Sequence, residues 1–289
     1  MEYVVFDLEW NGALCKKLDC HINEIIEIGA VKLDEDLNII DKFSMLVKPV
    51  IGKKLSSPVQ ELTALTYEEL SRGTPFSYAY SKFAKFCSGC VLMTWSTSDI
   101  DALLSNVRYH FHRERIDMMS DYIDLQKYCH DRLMPKEQNL PGLHTVVEML
   151  DIDADNMTHH RALDDSIVSA LCLKRIYAPG SLEPYITRTD DEFYDKLMFH
   201  PYNITDPNDK RLNWEEIYFN CPDCTARGVQ KKKWELKYNA FFLSEYECPE
   251  CHSSFTGRVQ FRQKYDHLTV MKKTIKKKKP EKEQNEQHR

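Results

Sequence analysis

The sequence predicts a mixed α/β domain followed by a smaller, cysteine-rich unit. Three strand-like segments run consecutively near the N-terminus, strand and helix patterns alternate after them, and two Cys-x-x-Cys pairs lie in the last third of the chain. At 289 residues the chain has room for one full-sized core and a small companion.

The elements follow in order. "YVVF", "EIIEIGAVKL" and "DKFSMLVKP" are β-branched or apolar runs bounded by polar residues, and predict an antiparallel meander. "TYEEL" after a threonine cap and Phe76 to Phe86 predict helices, and the apolar run "CVLMTW" predicts a buried strand. From Asp99 onward, Ile100, Leu103, Leu104, Val107 and Phe111 form the stripe of an amphipathic helix. "LHTVVEMLDI" and "RALDDSIVSALCLKRIY" supply two more. Residues 179–210 are acidic, carry four prolines and predict a connector with one helical segment. Aromatic, strand-like sequence resumes at 211–266. Residues 267–289, ending "KKTIKKKKPEKEQNEQHR", predict a basic, disordered tail.

Charge is unevenly spread. Residues 1–180 hold 19 Lys and Arg against 27 Asp and Glu, whereas residues 210–289 hold 18 against 11. An acidic first part suits divalent cations and a basic last part suits a polyanion. "MEYVVFDLEWN" lacks a basic region leading into an apolar stretch, and no window reaches the eighteen or so apolar residues of a membrane span. The expectation is a soluble, cytoplasmic protein with no membrane partner. Ten cysteines in that setting are reduced or metal-bound rather than disulfide-paired. The nine glycines form neither G-x-G-x-x-G nor a P-loop, which argues against dinucleotide and P-loop enzymes.

The first predicted strand runs into Asp7 and Glu9. Strand alternation puts both carboxylates on one face and turns Leu8 away. Two such anions at a buried strand end call for a cation, and with no Lys or Arg nearby in sequence a hard divalent metal fits. A solvated strand end fits the pair equally. Asp99, at the start of its helix, is either a third carboxylate or a plain N-cap, with Asp101 its competitor. In "HHRALDDS" His159 and His160 each stand five residues before an aspartate, Asp164 and Asp165. At 100° per residue Asp164 lies within about 20° of Arg175, on the solvated face, while Asp165 lies within about 20° of Cys172 and Ile176. Asp165 is therefore the better ligand, and His160 is the histidine paired with it.

"VFDLEWN", "TWSTSDIDALL" and "HHRALDDS" resemble, in order, the three motifs of DEDDh exonucleases in the DnaQ-like, ribonuclease H-like superfamily, most closely the KapD-like branch. The resemblance covers roughly residues 1–178 and includes "IIEIGAV" and "DLQ". Ser96 stands where the family pattern has glycine. The resemblance implies a ribonuclease H-like mixed sheet flanked by helices, and 3′–5′ exonuclease activity releasing nucleoside 5′-monophosphates. It also implies two Mg²⁺ or Mn²⁺ ions held by Asp7, Glu9, Asp99 and Asp165, with His160 as general base. RNA is favoured over DNA as the single-stranded substrate. Leu8 and Trp10 are candidates for stacking on the terminal base, with core packing as the alternative.

Cys221, Cys224, Cys248 and Cys251 form C-x₂-C…C-x₂-C with 23 residues between the halves, a set suited to one structural Zn²⁺. The unit resembles a zinc ribbon. Its lysines, arginines and aromatics suit either nucleic acid or ordinary solvation. Cys87 and Cys90 lack a second pair and fit helix-end packing. A binding module on a catalytically silent scaffold is the competing function.

Overall fold

The computed structural model describes residues 1–17, 19–136, 138–153 and 160–276. Two compact units divide at Met198 and Phe199.

In the first unit β1 (Tyr3–Cys15), β2 (Cys20–Leu33) and β3 (Ile39–Leu46) form the expected antiparallel meander. Helices α1 (Ser57–Thr63), α2 (Tyr67–Ser71) and α3 (Phe76–Phe86) follow. Thr66 and Glu69 close a capping box on α2, which explains why so short a helix forms. Then come β4 (Val91–Thr94), α4 (Ser98–Phe111), β5 (Asp121–Asp124), α5 (Leu125–Leu133), α6 (Leu143–Leu150), α7 (Ala162–Ile176), β6 (Thr187–Arg188) and α8 (Asp191–Met198). The sheet order is β3-β2-β1-β4-β5-β6, with β4 parallel to β1 and β5 parallel to β4.

Period-2 alternation along β1 sorts its side chains between two cores. Val4, Phe6 and Leu8 join Phe83 of α3, Leu103 and Val107 of α4 and Tyr194 of α8. Tyr3 and Val5 join Tyr128 of α5, Val146 of α6 and Leu173 of α7 on the other face. Asp7 and Glu9 continue the Tyr3 and Val5 alternation, so they are directed towards α7. Cys87, the C-cap of α3, and Cys90 are buried in the first core, where burial pushes both thiols up.

Helix α7 reaches β2 because residue 29 is glycine. A Cβ there would lie 2.1 Å from the Ala162 carbonyl carbon and the Leu163 nitrogen. Ser166 fastens the contact, its hydroxyl lying 3.1 Å from the Gly29 oxygen and 2.6 Å from the Ala162 oxygen. Since Gly29 is paired with Asp7 across the ladder, the first turn of α7 is laid beside the Asp7 carboxylate.

In the second unit β7 (Tyr202–Asn203), β8 (Val229–Gln230), β9 (Glu235–Lys237), β10 (Phe241–Glu247), β11 (Ser254–Gln263) and β12 (Leu268–Lys276) form one antiparallel sheet. Its core is aromatic: Phe219, Phe242, Tyr246, Phe255 and Phe261, with Trp214 stacked on Trp234.

Several sequence expectations need correction. The stretch 179–210 is no connector. Its first part supplies β6, which pairs with β5, and α8, whose Tyr194 is buried in the first core; its last part supplies β7 and the buried Ile204 of the second unit. The second unit therefore begins at Phe199 rather than 211. Leu268–Lys276 of the expected tail is a strand, because its alternating Leu268 and Val270 pair with β11; residues 277–289 lie outside the described residues. "KWELKYNAFF" is broken by a turn in which Tyr238 and Asn239 take positive φ. β1 does not end at Asp7 and Glu9 but runs on to Cys15, so these carboxylates lie within a strand.

Gly29→Ala should destabilise the first unit by roughly 2–3 kcal/mol in urea melts, because the added methyl meets helix backbone that can yield only by displacing α7. Gly12→Ala, which meets nothing within 4 Å, should be near neutral and serves as the comparison.

Candidate active site

Two elements deliver the acidic cluster. Asp7 and Glu9 come from the middle of β1 and Asp165 from the first turn of α7, and their ligand oxygens lie within 4.8 Å of one another. At Glu9 the β1–β2 ladder shifts register, with Glu9 opposite Glu27 and Trp10 opposite Ile25, leaving Ile26 as a bulge. Asp99 stands apart from the three-carboxylate group. It is 4% exposed in the first turn of α4, and the Leu8 amide donates to its Oδ1 at 3.0 Å. Asp101, the competitor, is exposed. Ser96 is accommodated without a positive φ, and its hydroxyl accepts from the Ser98 amide at 3.2 Å, filling an orphan donor at the start of α4.

Burial and neighbouring carboxylates raise Asp7, Glu9 and Asp99. Asp7 is held well above the ordinary carboxylate range by burial first, then by Asp99, Glu9, Asp165 and Glu27. Glu9 is pushed up to about 8 by burial and then by Asp165, Glu27 and Asp99, with Arg161 opposing. Asp99 is pushed up to about 7 by burial, moderated by the Leu8 amide. Clustered hard oxygen donors that cannot all be ionised by themselves fit a divalent cation of the Mg²⁺ or Mn²⁺ type.

A cleft of about 740 Å³ opens over the cluster, lined by Asp7, Asp99, Asp165, His160, Trp10 and Trp95, with α6 contributing Leu143 and His144. His160 sits on the rim in the left-handed region, φ 63°, just before the N-cap of α7. His159 lies outside the described residues. Trp10 lines the cleft and also packs against the first core, so both of its candidate roles meet there. Leu8 does not line the cleft: its side chain is 3% exposed in the first core, as strand alternation requires, and what it brings to the site is its amide.

Sequence reasoning missed two residues. Glu27, 1% exposed on β2, receives a bidentate fork from Arg161, with Nε to Oε2 at 2.9 Å and Nη2 to Oε1 at 2.8 Å. Arg161 follows His160 and caps α7, so this ion pair ties the histidine-bearing turn to the sheet. The signal was a lone glutamate inside the apolar run "IIEIGAV".

The family model for exonucleases of the RNase T type matches residues 4–173. The chain belongs to this exonuclease family. Among curated relatives, the PolC-type DNA polymerase III of Thermotoga petrophila is 31% identical over 174 residues, 58% of this chain and 11% of that protein. The chain thus spans about a tenth of the length of the polymerases it matches. The probable 3′–5′ exonuclease KapD of Bacillus subtilis is 26% identical over 160 residues, 53% of this chain and 73% of KapD. Among solved structures, the nuclease domain of 3′hExo, a DEDDh family member bound to rAMP, matches with TM-score 0.50 and 25% identity, covering 60% of this chain and 90% of that one. A 3′-exonuclease solved in recognition of the histone mRNA stem-loop shares the fold, with TM-score 0.53 and 22% identity over 66% of this chain and 91% of that one. The mixed sheet flanked by helices is therefore the exonuclease fold. Among the described residues, no helix is long and apolar enough to cross a membrane.

The second unit carries a separate cluster. The four sulfurs of Cys221, Cys224, Cys248 and Cys251 lie within 4.8 Å, with Sγ–Sγ separations of 3.3, 3.5 and 3.6 Å. These are too long for a disulfide and close to the roughly 3.8 Å edge of a tetrahedron with Zn–S bonds of about 2.3 Å. Both knuckles use one geometry: Thr225 and His252 take positive φ and donate back to the Cys221 and Cys248 carbonyls at 3.0 Å.

Two outcomes follow. Raised carboxylates keep their protons in the folded, metal-free chain from about pH 4 to 8, where the unfolded chain has lost them, so stability falls as pH rises through that window. Without divalent cations the melting temperature of the first unit should drop from pH 5.5 to pH 8; Mn²⁺ should restore more at pH 8, and Asp7→Asn should flatten the drop. An unaltered slope in that variant would contradict the electrostatic account. Stripping metal with a strong chelator should unfold the second unit, read as a loss of near-ultraviolet circular dichroism from its tryptophans, with recovery on adding Zn²⁺.

Proposed function

We propose that this chain is a metal-dependent 3′–5′ exonuclease acting on single-stranded nucleic acid, with RNA favoured over DNA, and releasing nucleoside 5′-monophosphates. The observation that carries the reading is the convergence of Asp7, Glu9 and Asp165 at one point of a cleft lined by Asp99, His160 and Trp10. The preference for RNA draws support from the rAMP bound to the DEDDh relative.

Asp7, Glu9 and Asp165 would hold one divalent cation, and Asp7 with Asp99 would serve a second. Two Mg²⁺ or Mn²⁺ ions there supply Lewis acidity at the scissile phosphate and lower the pKa of the attacking water. The chain's own residues do the rest. His160 on the rim accepts the water's proton. Trp10 and Trp95 offer apolar walls for the terminal base. The Leu8 amide and the Arg161–Glu27 fork hold Asp99 and the turn before α7 in place. The four cysteines would bind one structural Zn²⁺, with no coordination position open for chemistry.

A 5′-labelled single-stranded RNA incubated with the purified chain and Mn²⁺ should shorten from its 3′ end, and Asp7→Asn should abolish the ladder. His160→Ala should lower kcat about 100-fold or more, and His159→Ala far less. Equal losses at the two histidines would remove His160 from its role. Intact RNA and DNA under the same conditions would overturn the enzyme reading.

A further inference from the structure

The geometry points to the solvent face of the second unit's sheet as a docking surface for single-stranded nucleic acid, centred on Arg258 and Lys273. The inference rests on the proposed function for the class of ligand, and on separate residues for its site.

Along β11 Phe255, Gly257, Val259 and Phe261 are buried, so the alternate residues, Arg258 and Arg262 among them, face outward. The β11–β12 register sets Arg258 directly opposite Lys273 on that outward face. Like charges facing each other across a ladder destabilise the pairing. The two strands together carry five cationic side chains and no carboxylate. Lys276 is committed to Asp223 and Lys272 lies over the Tyr218 ring. On neighbouring β10, Glu245 and Glu247 are engaged by Lys232 and Lys231, each at 2.9 Å. Among the described residues Arg258, Arg262 and Lys273 have no ion-pair partner.

An aromatic platform completes the face. The Arg258 guanidinium lies 3.8 Å from the Phe241 ring centroid, and Tyr238, 89% exposed, is 5.9 Å from the same ring. Uncompensated cations beside the exposed Tyr238 ring match the two parts of a nucleotide strand, phosphate and base face. An acidic polypeptide would satisfy the charges and leave the ring unused. The occupant is therefore a single strand of nucleic acid.

The test uses the full chain carrying Asp7→Asn, so that the probe survives, and a labelled oligo(U) of about 16 nucleotides, read by fluorescence anisotropy. Arg258→Glu with Lys273→Glu should weaken binding tenfold or more and reduce the salt slope by about 1.4, two phosphate contacts at about 0.7 each. Zinc content and melting temperature should be unchanged. Arg72→Glu with Lys82→Glu, the same charge change on the first unit, should leave affinity near that of the parent. Unaltered oligo(U) binding in the Arg258/Lys273 variant would overturn the proposal. So would equally tight binding of poly-glutamate lost in the same variant, which assigns the face to acidic polypeptide. If the wild-type chain cleaves nothing yet this variant loses oligo(U), the docking face stands and the exonuclease reading falls.

Discussion

The contact between the first turn of α7 and the backbone of β2 is the constraint on which the site depends. With hydrogen alone at Gly29, helix and strand backbones meet at a distance that any side chain would forbid. Ser166 and the Arg161–Glu27 fork then fix the helix in rotation and along its axis. Asp165 stands one residue before Ser166 and one helical turn after Arg161, so anchoring those two residues brings its carboxylate beside Asp7 and Glu9. A glycine opposite the central carboxylate and a serine on the helix thus set the geometry of the acidic cluster.

Two opposing demands act on that cluster. The core on either side of β1 excludes water, which makes each charge costly, yet the cleft needs ionised oxygens to hold a cation. The fold compensates only part of the charge. Asp99 receives the Leu8 amide and Glu27 receives Arg161, whereas Asp7 and Glu9 are left with pKa values far above those of exposed acids. The uncompensated remainder suits a small, hard, divalent ion better than ordinary counter-ions. In the second unit softer donors solve a different problem: its core is a modest set of aromatic rings, and four sulfurs at one point can tie its knuckles together where apolar burial alone is limited.

Much of this was legible in the sequence because it rests on local periodicity and spacing. Alternation along "YVVFDLEW" put Asp7 and Glu9 on one face, the 100° helical step separated Asp165 from Asp164, and the paired Cys-x-x-Cys spacing marked the sulfur cluster. The errors came where a segment's partner is distant. Residues 187–198 and 202–204 read as a connector because their apolar residues are few, and only the edges of two separate sheets give them a place. Lys272, Lys273 and Lys276 made 268–276 read as tail, although ladder hydrogen bonds to β11 are indifferent to the charge of an edge strand.

By itself, the sequence determined the opening meander and the main amphipathic helices of the first unit, the pairing of Asp7 with Glu9 and of the four cysteines, and the chemistry those groups favour, since these follow from residue type and from periods of 2.0 and 3.6. Tertiary structure alone decided which of Asp99 and Asp101 is buried against Leu8, that Leu8 serves through its amide and not its side chain, and that Glu27 and Arg161 belong to the site. It also set Arg258 opposite Lys273. The physical reason is the same in each case: long-range pairing brings together groups 15 to 134 residues apart, and only packing selects that register.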